Sequence, residues 1–280
     1  MIVTRDAYDE QAKLWNGPAG HAWVGTQELI DHIFAPLQAL LIEAIPNESG
    51  LRILDVGCGT GGTTMAAARK AGANGHCTGV DISEPMLAAA CQRAERERTR
   101  ATFIYADAQT HAFEPERFDM IISRNGVMFF DEPVLAFANL RRAAKPGAPL
   151  RFITWRSAAE NPFMTTAERA AAPLLPNLPV RKPGMPGQFA LAEQQRIQSI
   201  LDESGWRDID VQPIDLTCTF PEAALERYFT LLGPVGLALS DADEQTRTLV
   251  IDAVRAAFDR FMHGDEIRFT AACWLVTARA

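Results

Sequence analysis

The densest chemical signal in this chain is the segment Leu54-Asp55-Val56-Gly57-Cys58-Gly59-Thr60-Gly61-Gly62, which follows a short apolar run and precedes a helix-length stretch. Glycines let a backbone approach a ligand where a Cβ would collide, and they accept positive φ in a tight turn. The N-terminus of a following helix offers unpaired N–H groups and partial positive charge, so a carboxylate or phosphate is welcome there. Two more acids end apolar runs downstream: Asp81 in Gly79-Val80-Asp81-Ile82-Ser83 and Asp107 in Tyr105-Ala106-Asp107-Ala108. At a strand end, Asp81 could accept from two ribose hydroxyls and Asp107 from an exocyclic amine.

Taken alone, the glycines fit two ligands. Gly57, Gly59 and Gly62 satisfy G-x-G-x-x-G, and Asp81 lies near the spacing expected of the ribose-binding acid of a dinucleotide site. A pyrophosphate, however, would be repelled by Asp55, Asp81 and Asp107 gathered at one sheet edge. A sulfonium cation carrying adenosine and an amino acid tolerates them.

The elements that must position these residues follow from apolar patterning. Runs at 52–56, 77–81, 102–106, 120–123 and 150–155 alternate with helical spacing at 63–71, 83–98 and 133–144, as expected of a doubly wound α/β sheet. Lys145-Pro146-Gly147 stops the last of these helices. Upstream, apolar residues from Ile30 to Ile45 recur every three or four positions, so 26–45 reads as a helix that Pro36 kinks or restarts. Downstream, 161–172 and 189–204 read as helices, 209–216 and 267–277 as strands, and 222–261 as helical. Pro173, Pro176, Pro179, Pro183 and Pro186 make the stretch between the first two helices irregular, either a linker or a loop that covers substrate. The expected division is a helical lid or cap over 1–50 and a main domain over 51–280 with an insertion at about 157–207.

Composition narrows the function classes. The chain has 280 residues, 48% hydrophobic and 22% charged, an ordinary globular balance. Its net charge is −8 and no Lys/Arg cluster forms a stripe, so nucleic acid is not an expected partner. The five cysteines are odd in number, widely spaced and free of any C-x-x-C pair. They suit free thiols in a reducing compartment, and no metal site is expected. The apolar stretch at 269–276 is too short to span a bilayer, and the first residues lack the apolar core of a signal peptide. The expectation is a cytoplasmic protein with a small-molecule substrate; the oligomeric state is left open.

The motifs quoted above resemble those of class I S-adenosylmethionine-dependent methyltransferases, the broad group related to the ubiquinone/menaquinone methyltransferases. Phe118-Asp119-Met120-Ile121-Ile122-Ser123-Arg124, Val127-Met128-Phe129-Phe130, and Leu140-Arg141-Arg142 through Lys145-Pro146-Gly147 extend the resemblance over 51–155 in the family's order. One departure is Ala148, where the family often has a second glycine. The resemblance implies a seven-stranded sheet of order 3-2-1-4-5-7-6 with the last strand antiparallel, and S-adenosylmethionine as cofactor. Carried over by residue, Asp55, Gly57, Cys58, Gly59 and Gly61 would form the methionine-side turn. Asp81 would hold the ribose and Ile82 would pack on adenine. Asp107 and the Ala108 backbone would meet the adenine edge, and Ser123 would sit beside the methionine amino group.

Trp15-Asn16-Gly17-Pro18-Ala19-Gly20-His21-Ala22-Trp23 resembles a segment of a bacterial subgroup of these enzymes. Trp15 and Trp23 would either cover the sulfonium, a cation–π contact of roughly 0.5–2 kcal/mol, or simply fasten the N-terminal helix. His21 is the histidine expected to face the site and the candidate general base should the acceptor be a hydroxyl. Arg124, Asn125, Met128, Phe129, Trp155 and Phe163 are the candidate acceptor-binding residues, with Arg124 suited to a substrate anion or to a structural ion pair. The competing readings are an NAD-dependent oxidoreductase on the same turn and a non-catalytic cofactor-binding protein. Nucleic acid methylation is disfavoured because Ser123-Arg124-Asn125-Gly126 stands where Asn/Asp-Pro-Pro-Tyr/Phe is expected. Neither the acceptor nor the atom methylated is legible.

Overall fold

The computed structural model describes residues 5–179 and 185–280. Its centre is one sheet built from β1 (Arg52–Val56), β2 (His76–Asp81), β3 (Ala101–Tyr105), β4 (Met120–Arg124), β5 (Pro149–Trp155), β6 (Arg207–Pro221), β7 (Met262–His263) and β8 (Glu266–Arg279). The order is β3-β2-β1-β4-β5-β8-β6, with β7 paired only to β8. The first five strands run parallel, and β8 runs antiparallel to both β5 and β6. With the two-residue β7 set aside, this is the expected seven-stranded order.

The parallel strands are apolar on both faces because helices cover both. Ile53, Leu54, Val56, Ile121 and Ile122 are buried. Ahead of the sheet come α1 (Arg5–Asn16), α2 (Pro18–Gly25), α3 (Gln27–Ile33) and α4 (Ala35–Glu43), and between strands come α5 (Gly62–Lys70), α6 (Glu84–Glu97) and α7 (Pro133–Ala143). Between β5 and β6 lie α8 (Pro162–Ala171) and α9 (Gln194–Glu203); α10 (Leu225–Leu231), α11 (Gly233–Leu239) and α12 (Glu244–Phe258) follow β6. Among the described residues no helix is long and apolar enough to cross a membrane.

The helix expected over 26–45 restarts at Pro36 as expected: it is two helices, broken at Phe34, with Pro36 in the first turn of α4, where its missing N–H costs nothing. Other boundaries correct the sequence reading. The helix expected from Phe189 starts at Gln194; residues 187–192 instead form turns closed by Ala190 N to Gly187 O (3.0 Å) and Ala192 N to Phe189 O (3.2 Å). β6 begins two residues before 209 and runs five residues past 216. Its Pro213 is tolerated because β6 is an edge strand with a free side. His263 lies in β7 opposite Glu266. Pro183 of the proline-rich stretch falls outside the described residues.

Candidate active site

Register brings the acids together. Asp55 pairs with Gly79 of β2 and with Ile122 of β4, while Asp81 ends β2 opposite Tyr105 of β3, so the C-terminal ends of adjacent parallel strands share one edge. Ligands of open α/β sheets bind at that edge, where the strand order reverses; here the reversal lies between β1 and β4. The turn after β1 is fixed by Gly57 N and Cys58 N, which donate to Val80 O at 2.9 and 3.2 Å. Gly57 has φ +68°, and a Cβ there would lie 2.6 Å from Gly126 Cα, so only glycine lets the turns after β1 and β4 touch. Gly59 has φ +54°, and the side it presents has nothing nearer than Met86 Sδ at 3.7 Å. It faces open space.

That space is a cavity of about 550 Å³. Gly57, Cys58, Gly59, Asp81, Ile82, Asp107 and Ala108 line it. Asp81 is buried; Oδ2 accepts from Gly59 N at 2.7 Å and Oδ1 from Ser83 N at 2.9 Å. These bonds fix the carboxylate and leave each oxygen a lone pair for a ligand hydroxyl. Burial raises the Asp81 carboxyl above its ordinary value, opposed by the N–H groups of Gly59, Ser83 and Ile82. Asp107 is held by Gln109 N at 2.9 Å and Thr110 Oγ1 at 3.4 Å, and burial raises its carboxyl too.

Three residues expected at the cofactor lie behind the cavity wall. Asp55 is buried, accepts from Thr64 Oγ1 at 2.7 Å, and has its carboxyl pushed up to about 7, chiefly by desolvation. Ser123 donates to Val56 O at 2.7 Å and accepts from Gly126 N at 3.1 Å, stapling the ends of β4 and β1. Gly61 caps α5 at φ +80°, where a Cβ would meet Phe103 and Ala90 rather than a ligand. None of the three lines the cavity, so each supports the turn from below.

His21 is the clearest correction. It is exposed, its Nδ1 lies 2.9 Å from Gly17 O, and it borders a shallow surface depression with Lys13, Asn16 and Glu84 instead of the cavity. Helical spacing explains this: Ala19, Ala22 and Trp23 form the cavity face of α2, and His21 points to the opposite side.

Trp15 and Trp23 both line the cavity. Their rings meet edge to face at 6.0 Å, and Trp15 meets Phe129 in the same way at 5.2 Å. Asn16, which the sequence reading did not single out, clips the end of α1 to the turn after β2. It donates to Ile82 O at 2.9 Å and accepts from Glu84 N at 2.8 Å, while Ser83 Oγ donates to Trp15 O at 2.6 Å. Arg124, Asn125, Met128, Phe129, Trp155 and Phe163 also line the cavity. Phe163 stacks on Phe269 with centroids 3.6 Å apart, and Asn125 adopts φ +58° as the chain turns out of β4. The sequence reading missed the remaining wall: Phe34, Glu168 of α8, and Tyr228, Phe229 and Val235 of α10 and α11.

Known proteins give this arrangement a context. Residues 53–147 match the family model of a methyltransferase domain. An uncharacterised protein of Mycobacterium tuberculosis is 32% identical over 127 residues, 45% of each chain. Aklanonic acid methyltransferase DauC of Streptomyces sp. strain C5 is 31% identical over 120 residues, 42% of this chain and 54% of that one. The chain thus spans about half the length of the curated relatives it matches. Among solved structures, phosphoethanolamine N-methyltransferase 2 of Haemonchus contortus, in complex with S-adenosyl-L-methionine, superposes with a TM-score of 0.54 at 22% identity, covering 88% of this chain and 52% of that one. The strand order, the glycine turn with its two acids and the matched segment agree: residues 53–147 are similar to a methyltransferase domain, set in a sheet of the matching fold.

Proposed function

We propose that this chain transfers a methyl group from S-adenosylmethionine to a small, partly apolar molecule. The observation that carries the proposal is the Asp81 carboxylate, fixed by two backbone N–H groups on the wall of the cavity that Gly59 leaves open. Such a carboxylate suits the two hydroxyls of a ribose. Ile82 offers an apolar face for adenine, and Asp107 with the Ala108 backbone meets its polar edge. Gly57, Cys58 and Gly59 take the methionyl chain, with Asp55, Gly61 and Ser123 holding that turn in shape. When bound, the cofactor supplies an electrophilic methyl group on a sulfonium.

The residues of the chain then align and desolvate. Trp15 and Trp23 cover the cation from the cap, which we assign to residues 1–50, and exclude water from the transfer. Met128, Phe129, Trp155 and Phe163 form the apolar wall against which the acceptor lies, with Asn125 offering a polar contact. The segment over 157–207 covers the acceptor from above, and its α8 turns Phe163 and Glu168 inward. The relative DauC is named as an aklanonic acid methyltransferase, in keeping with a small-molecule acceptor. The net charge of −8 argues against a nucleic acid acceptor, and the free cysteines suit the cytoplasm.

Calorimetric titration tests the proposal. S-adenosylhomocysteine should bind and NADH should not; tight NADH binding with no heat from S-adenosylhomocysteine would replace it with the oxidoreductase reading.

A further inference from the structure

Arg124 does not behave as an ordinary structural ion pair. Its side chain is 13% exposed and lines the cavity, yet the carboxylate that pairs with it, Asp31 on α3, lies 3.6 Å from Nη2, beyond a good hydrogen bond. Nη1 is shut off from solvent and has no partner among the described residues. Asp31 is already engaged, because its Oδ2 accepts from Arg93 Nη1 at 2.5 Å. Asp31 thus lies between two guanidiniums; Arg93 also pairs with Glu97 at 3.1 Å, and Asp31 Oδ1, the oxygen nearer Arg124, has no hydrogen-bond partner among the described residues. Asp55, behind the wall, also feels Arg124 but is itself shifted toward its neutral form. A buried guanidinium with an unmet donor is costly, and an incoming carboxylate removes that cost.

Position decides which carboxylate. Arg124 closes β4 beside β1, and two residues later Gly126 touches Gly57, so the guanidinium stands at the glycine turn. Asp31, its partner, packs on the opposite end of the same turn: a Cβ on Gly62 would lie 2.6 Å from Asp31 Oδ1. Phe163, Glu168 and Tyr228, which wall the acceptor side, belong to later elements beyond β5. Resting on the proposed methyltransferase reading, we infer that Arg124, held by Asp31, binds the α-carboxylate of the cofactor's methionyl group, and that it is not the residue that selects an anionic acceptor. Asp31 is then a positioning residue, acting through Arg124.

The test compares two ligands that share the adenosine and thioether but differ in the amino acid end: S-adenosylhomocysteine and 5′-methylthioadenosine, titrated by calorimetry into wild type, Arg124→Met and Asp31→Asn. The Arg124→Met variant should lose about 10- to 100-fold in affinity for S-adenosylhomocysteine, the range of a charged hydrogen bond, and keep its affinity for methylthioadenosine. Asp31→Asn should show the same selective loss, smaller in size. Equal losses for both ligands would make Arg124 merely structural, and unchanged affinity for both would move the carboxylate elsewhere; either overturns the inference. If Arg124→Met does not fold, wild type is titrated with S-adenosylhomocysteine lacking its carboxylate, and Arg124→Lys, which keeps the charge but not the fork, with both ligands. Undiminished wild-type affinity for the decarboxylated compound also overturns it. Failure of wild type to bind either nucleoside would instead sink the methyltransferase reading itself.

Discussion

Replacing Asp55 by Asn should shift stability toward the variant as pH rises. Asp55 sits in β1 behind the glycine turn with 1% of its surface exposed, and burial lifts its carboxyl from 3.8 to about 7. A raised folded value means that the unfolded chain gives up the proton first, so stability falls as pH rises from about 4 to about 7 and then levels off. The full gap is worth ~4 kcal/mol, of which ~3 kcal/mol develops between pH 5 and pH 8. Asparagine keeps the shape and can still accept from Thr64 Oγ1, but it cannot ionise. Urea unfolding of both proteins at pH 5 and pH 8 reads the effect. The difference between variant and wild type should grow by ~3 kcal/mol in favour of the variant across that range, and any constant cost of the amide cancels. A difference that is the same at both pH values would refute the assignment of Asp55 as a buried carboxyl with a raised value.

Asp81→Ala should retain the far-ultraviolet circular dichroism of wild type and lose at least about 10-fold in affinity for S-adenosylhomocysteine, since the carboxylate's bonds to a ribose are charge-assisted. Gly59→Val should abolish binding, because a branched side chain would enter the cavity, and should lower stability by ~1–2 kcal/mol for a left-handed backbone at φ +54°; retained binding would contradict the placement of the turn. Asn161→Ala should cost about 2–4 kcal/mol in chemical denaturation, because the fully buried amide donates to Ala272 O and accepts from Ala272 N, both at 2.9 Å, and its loss leaves buried backbone groups unmet.

Much of the frame was legible because its physics is local. Buried parallel strands need unbroken apolar runs, and Ile53 to Val56 or Ile121 to Ser123 can hardly be read otherwise. The turn was legible for a related reason: glycine at Gly57 and Gly59 reports positive φ and close approach in one residue type. Positions set by long-range packing were not. His21 lies one helical step from the cavity face, and only the docking of α2 decides which step faces inward. Asn16 reads as an ordinary helix-ending residue until the turn after β2 is laid against it. Asp31 sits in an amphipathic stretch whose spacing gives no hint that two arginines, one from β4 and one from α6, converge on it. The far wall of the cavity comes from α10 and α11, some seventy residues beyond Phe163, and nothing local ties those helices to the glycine turn.

A crystal soaked with S-adenosylhomocysteine measures the central claim most directly. The account predicts density along the edge from Gly57 to Asp107, with both ribose hydroxyls within hydrogen-bond distance of the Asp81 carboxylate and the adenine against Ile82. A cavity left vacant at saturating ligand, or a nucleoside bound with Asp81 and Asp107 turned away from it, would contradict it.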